Sequence, residues 1–252
     1  MKKYVFIFLV FVSLNAHAEI GLHMGQVFLI RDYANIKQNI TDTKVMGKLS
    51  LLTNVDIVRD LDLKGISVLE VDVTFSEEKN MFVVSYGIHR NDKLLRIQTF
   101  SGGLLSLDLF LKKVLHHYDF KGIWLDAKNL TVSNASKVSK SVEFLSVSYP
   151  QLFFLLESSD RKALHEVFDS TKIDSVHPLF WLNGSDCPTV SSNYSQHFEY
   201  FYKNDCDVED KNIYIWTNGI QKQDSKASYA KKALELHPKV ILVDLDYLDY
   251  FR

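Results

Sequence analysis

Between Gly65 and Phe75 runs an apolar segment rich in Val, Leu and Phe, broken at a spacing of two by Glu70 and Asp72. Near-continuous apolar runs of this length mark strands covered on both faces, the condition of a parallel sheet flanked by helices. Residues two apart on a strand share a face, so the two carboxylates point to the same side. Burying them costs on the order of several kcal/mol unless a cation or donor meets them. The segment from Gly122 to Asn129 repeats the pattern, with Asp126 and Lys128 on one face. Three carboxylates and one lysine are thus expected to converge on one point.

Around these two segments the chain alternates strand and helix patterns. A strand is expected over Val45 to Leu52, then a helix from a Thr53 or Asn54 cap through Val55, Val58 and Leu61, with Gly65 as its stop. After the first carboxylate strand, Met81 to Val84 and Leu94 to Thr99 read as a hairpin around the polar segment His89 to Lys93. A helix then starts at Ser106, with Leu107, Phe110, Leu111, Val114 and Tyr118 at helical spacing. Beyond the Asp126 strand come helix 135–147, strand 151–157, helix 161–168 and strand 178–183. A short strand near Phe198 to Tyr202, strand 212–217, helix 226–236 and strand 239–244 complete eight strands. Such alternation in one domain argues for an α/β fold of the closed (β/α)8 TIM-barrel type. The runner-up, an open doubly wound sheet, is disfavoured because no Gly-rich phosphate loop follows any strand.

The first 18 residues stand apart from this rhythm. Lys2 and Lys3, an apolar run from Tyr4 to Leu14 and the small-residue pattern Ala16, His17, Ala18 have the form of a secretory signal peptide. The expected organisation is a signal peptide over 1–18, an N-terminal extension over 19–44 packed on the body, and a barrel over 45–252. No later stretch is long and apolar enough for a transmembrane segment. The protein is therefore expected to be exported, either periplasmic or secreted. Without Lys2 and Lys3 the formal charge moves from −2 to −4 with no basic cluster, which argues against nucleic acid as a partner. In an oxidising compartment Cys187 and Cys206, the only cysteines, are expected to form a disulfide. A bridge closing a loop of this size stabilises by roughly 3 kcal/mol.

Oxygen-only donors such as Glu70, Asp72 and Asp126 suit Mg2+ or Ca2+ better than zinc. An ion there, together with Lys128, would present concentrated positive charge to an anion, and a phosphate diester fits that charge. A structural network in which Lys128 only neutralises the carboxylates explains the same residues equally well. That reading predicts a closed upper face with Lys128 paired directly to Asp126 or Glu70.

Taken in order, Gly65 with Glu70, Asp72 and Thr74, then Trp124, Asp126 and Lys128, then Ile215 to Thr217, and finally Val240 to Asp244 resemble the phospholipase-C-like phosphodiesterase superfamily. That group includes glycerophosphodiester phosphodiesterases, spider sphingomyelinase D type toxins and menorin-like proteins, and the similarity runs from about Lys44 to the C-terminus. The resemblance implies a metal held by Glu70, Asp72 and Asp126, a phosphate contacted by Lys128, and a pocket walled by Trp216. The implied ligand is a phosphodiester or a phospholipid head group. Glu157 is either a further pocket acid or a helix-capping or solvated side chain.

The resemblance also implies two catalytic histidines, one at the end of the first strand and one after the second. Lys48 to Asn54, at the end of the strand expected first, contains no histidine, and Ser85 or Tyr86 stands at the second place. Tyr86 and His89 are the candidates for the missing acid/base or nucleophile, with His23 a further histidine in the N-terminal segment. His116, His117, His165 and His237 fall on or beside helices, away from the expected site. Two functions follow: an exported metal-assisted phosphodiesterase, or a catalytically inactive relative that binds a phosphorylated ligand or protein partner.

Overall fold

The computed structural model describes residues 19–22, 66–84, 88–90, 93–96, 106–170, 173–182, 187, 193–197, 212–216 and 226–243. Its strands are β1 (Glu19–Leu22), β2 (Val68–Ser76), β3 (Met81–Val84), β4 (Ile88–Arg90), β5 (Lys93–Arg96), β6 (Gly122–Ala127), β7 (Phe153–Ser158), β8 (Val176–Trp181), β9 (Asn193–His197), β10 (Asn212–Trp216) and β11 (Val240–Val243). The described helices are α1 (Leu107–Leu115), α2 (Ala135–Ser148), α3 (Arg161–Ser170) and α4 (Lys226–Glu235).

Eight strands, β1, β2 and β6 to β11, form a curled parallel sheet in which each pairs with the next. Its two ends meet at β1, which pairs in parallel with β11 from Glu19↔Val240 to Leu22↔Val243 and with β2 at Gly21↔Val68 and Leu22↔Leu69. The arrangement is consistent with a (β/α)8 barrel. Burial separates its two faces. Val68, Trp124, Leu155, Leu179, Tyr214, Trp216, Val240 and Leu242 pack together inside the sheet. Their neighbours one residue along, such as Leu69, Ile123, Phe154, Ile213 and Ile241, join Phe110, Val138 and Leu164 of the helices in the outer core.

The helices follow the expected apolar spacing. Ser106 caps α1 by accepting a hydrogen bond from the Leu109 amide at 3.2 Å, and Leu107, Phe110, Leu111 and Val114 form the buried stripe. Gly122 opens β6 where it lies level with Phe153, and a Cβ there would meet the Phe153 ring at 2.2 Å.

The first strand departs from expectation. Glu19–Leu22, within the segment expected to be an extension, belongs to the sheet and stands beside β2, the place expected for a strand over 45–52. Residues 45–52 lie outside the described residues, as do 1–18 and the helix expected over 53–65. A four-residue strand with Gly at its third position is too short for periodicity to reveal; its pairing partners at both sides define it. The ninth strand is also displaced: Asn193–His197 pairs with β10 over its whole length, and 198–202 lies outside the described residues.

The insertion after β2 differs as well. Among the described residues, β3 does not form the expected hairpin with the segment from Leu94; its one backbone pairing beyond His89 is an antiparallel bridge from Val83 to Ser106. β3 folds back antiparallel onto β2 through Glu77 to Asn80, where Asn80 adopts φ 50°, a left-handed conformation that Asn tolerates. β4 and β5 form a separate two-stranded sheet.

Beyond Ala127 the β2–β6 pairing continues through one side chain. The Lys128 amide donates to the Val73 carbonyl at 2.9 Å. The Asn129 side chain accepts from the Phe75 amide at 2.7 Å and donates to the Phe75 carbonyl at 2.9 Å. Asn134 in turn donates to the Asn129 carbonyl at 2.9 Å and starts α2. Asn129→Ala should lower the unfolding free energy by about 2 kcal/mol in urea titrations, because it orphans two backbone groups of a buried residue.

Candidate functional site

The candidate site is built at the C-terminal ends of β2, β6 and β7, the end of a parallel barrel where the loops that follow the strands gather. Glu70 and Asp72 alternate with Leu69, Val71 and Val73, which face the helices, so both carboxylates share the inner face with Val68. The same alternation puts Asp126 inside beside Trp124. Register does the rest: Asp72 is the direct lateral partner of Asp126, and Asp126 that of Glu157. Carboxylate oxygens of Glu70, Asp72 and Asp126 all lie within 4.8 Å of one another. Opposite oxygens around one hard divalent ion are separated by roughly 4–5 Å, so this donor set fits one Mg2+ or Ca2+ ion in both chemistry and spacing.

Lys128 sits among the same oxygens. Its ammonium lies 2.6 Å from Asp72 Oδ1 and makes a second, short contact with Asp126 Oδ2. The direct pairing expected of a neutralising network is therefore present, with Asp72 and Asp126 as its partners. Burial alone would lower the Lys128 pKa, but the charges of Asp126, Asp72 and Glu70 outweigh it and hold the ammonium well above its usual range. Lys128 is a fixed positive charge at any physiological pH.

Glu157 is neither solvated nor a cap. It is 3% exposed and accepts hydrogen bonds from the Trp124 indole at 2.7 Å and from the Ser195 hydroxyl. The cap of α3 is Asp160, which accepts from the Ala163 amide at 3.0 Å. Burial first, and the Asp126 charge second, raise the Glu157 pKa to about 8. Below the acidic cluster the barrel is filled by aromatic rings. Trp216, buried at the end of β10, meets Trp124 edge-on at 6.3 Å and Trp181 at 4.9 Å.

The other predicted residues divide. Tyr86 and Cys206 lie outside the described residues. His89 belongs to β4, so its backbone pairs within the separate two-stranded sheet rather than within the barrel. Among the described residues there is no free cysteine. His116 and His117 stand at the end of α1, His165 packs on Phe180 from α3 at 5.0 Å, and His237 follows α4, all on the helical side. The missed signal is at the start of the sheet. Once Glu19–Leu22 is the first strand, the residue that follows it in the chain is His23, which itself lies outside the described residues. No helix among the described residues is long and apolar enough to cross a membrane.

No family model matches the sequence, and no curated protein matches it significantly. Solved structures do match. A glycerophosphodiester phosphodiesterase from Parabacteroides distasonis superposes with a TM-score of 0.55 at 14% identity, over 93% of this chain and 97% of that one. The fold is that of the glycerophosphodiester phosphodiesterases. A candidate glycerophosphodiester phosphodiesterase from Galdieria sulphuraria gives a TM-score of 0.52 at 16% identity, over 93% of this chain and 96% of its own. The likeness in fold agrees with the barrel that the resemblance implied. At such identities the likeness is one of architecture.

The buried carboxyl makes a prediction about stability. The folded protein holds a proton on Glu157 that the unfolded chain releases near pH 4.5, so the contribution is complete below that pH and is lost as pH rises through about 8. Melting temperature should fall between pH 5 and 8. The slope from this group is at most about 1.4 kcal/mol per pH unit, and Glu157→Gln should flatten it.

Proposed function

We propose that the protein is an exported phosphodiesterase-like protein that uses a divalent cation to hydrolyse glycerophosphodiesters or phospholipid head groups. The observation that carries this reading is the convergence of Glu70, Asp72 and Asp126 within 4.8 Å at the C-terminal end of the barrel strands, beside Lys128. A Mg2+ or Ca2+ ion held by those three carboxylates would supply positive charge to the phosphate oxygens. Lys128 contributes a second, permanent positive charge for the diester, and Trp216, packed with Trp124 and Trp181 beneath the acidic cluster, would form the floor on which the substrate rests.

His23 takes the role of the histidine that the superfamily carries at the end of its first strand. An imidazole can attack phosphorus or move a proton near neutral pH, whereas the aliphatic chain expected there over 48–52 cannot. Tyr86 and His89 remain the candidates for the second group. Export rests on the sequence of residues 1–18, and the oxidising compartment it implies accounts for a Cys187–Cys206 bridge.

A second reading is favoured by Ser85 and Tyr86 standing where the superfamily's second histidine is expected. In it the barrel has lost turnover and binds a phosphorylated ligand or protein partner, whereas the direct pairing of Lys128 with Asp72 and Asp126 is what a purely neutralising network predicts. Hydrolysis of glycerophosphocholine and of a chromogenic phosphodiester, with Mg2+ or Ca2+ supplied, separates the two. Turnover should vanish in Glu70→Ala and fall by about 10²-fold or more in His23→Ala. No turnover in a protein that still binds the cation makes the binding protein the better account.

A further inference from the structure

Lys128 is expected to meet phosphate, yet its ammonium lies on the carboxylates that would hold the ion. It is 2.6 Å from Asp72 Oδ1 and in short contact with Asp126 Oδ2. Two of the three cation donors are therefore engaged by an internal cation that cannot lose its charge at physiological pH. An ammonium and a divalent ion on the same carboxylates compete, because like charges a few ångströms apart repel strongly in a partly buried site.

We propose that Lys128 is the counter-ion of the metal-free site and competes directly with the divalent cation, so that cation and phosphate bind in order. Lys128 first neutralises Asp72 and Asp126; when a divalent cation takes those oxygens, the ammonium is released from them and becomes available to an anion. The charges are consistent with that sequence. Among the described residues, Glu70, Asp72, Asp126 and Lys128 carry a formal sum of −2, which disfavours a diester, and a divalent cation brings these four to zero. The backbone of Lys128 need not move, since its amide stays on the Val73 carbonyl and Asn129 holds the next residue to Phe75. Only the flexible four-carbon stem has to turn. The inference rests on the cation-site reading above and goes beyond it by giving the lysine a role before any phosphate arrives.

Calorimetric titration of the full chain with MgCl2 or CaCl2 tests it without any turnover measurement. Lys128→Met should bind the ion at least about tenfold more tightly than the wild type, because the competitor is gone. In chelator the same variant should melt well below the wild type, and saturating cation should restore it, since the ion replaces the missing charge; a merely structural ion pair would leave the loss uncorrected. On the unaltered protein, acylation of Lys128 by an amine-reactive reagent, read by mass spectrometry, should accelerate when the cation is added. That second measurement stands even if the variant fails to fold. Equal or weaker cation binding by Lys128→Met, or cation binding that leaves the acylation rate of Lys128 unchanged, overturns the competition alone. If neither the wild type nor Lys128→Met binds a divalent cation, the metal site falls and the competition with it.

Discussion

Three carboxylates gathered inside a barrel repel one another and lose hydration, and the rest of this site follows from how that cost is met. Lys128 supplies the attraction, and its position is dictated by backbone. It stands two residues beyond Asp126 on the same inner face, with its amide on the Val73 carbonyl. A lysine reaching in from a loop would lose much of its rotamer freedom on being held there. Here the next residue, Asn129, is already fixed to Phe75 on the neighbouring strand, so part of that ordering is shared with the fold itself. Acid, base and strand register form one unit.

The same economy governs the layer below. Trp124 brings an indole N–H into the middle of the barrel, where an unpaired donor would be costly, and Glu157 meets it with a carboxyl that Ser195 also reaches from across the sheet. Three strands are joined by two hydrogen bonds through a side chain that is mostly uncharged near neutrality. A second full negative charge beside Asp126 would raise the repulsion that Lys128 has to offset. The floor thus keeps its polar group while adding little charge to the cluster above it.

Much of the architecture was legible because parallel strands covered on both faces leave an unmistakable apolar record. β2, β6, β7, β10 and β11 fall within a few residues of their expected places, as do all four described helices. The convergence of Glu70, Asp72, Asp126 and Lys128 followed from period-two alternation alone. What sequence could not reveal was decided by pairing. β1 is four residues long and becomes a strand only because β11 and β2 flank it. With β1 as the first strand, the place for which the resemblance implies a histidine is the residue after Leu22 rather than the aliphatic stretch some thirty residues later. Likewise nothing in the spacing of Glu157 tells a buried acceptor from a cap; the distinction lies in Trp124 and Ser195, both distant in the chain.

The position of β1 also bears on how this chain reaches its native state. The seam of the ring joins segments from near opposite ends of the sequence, Glu19–Leu22 and Val240–Val243. Closing so long a loop carries a large entropic cost that local contacts cannot defray, so the seam forms late. Until β11 joins β1, the sheet stays an open crescent with exposed edges. Such a crescent, with strand edges and apolar surface open, is a natural substrate for chaperones until the seam locks.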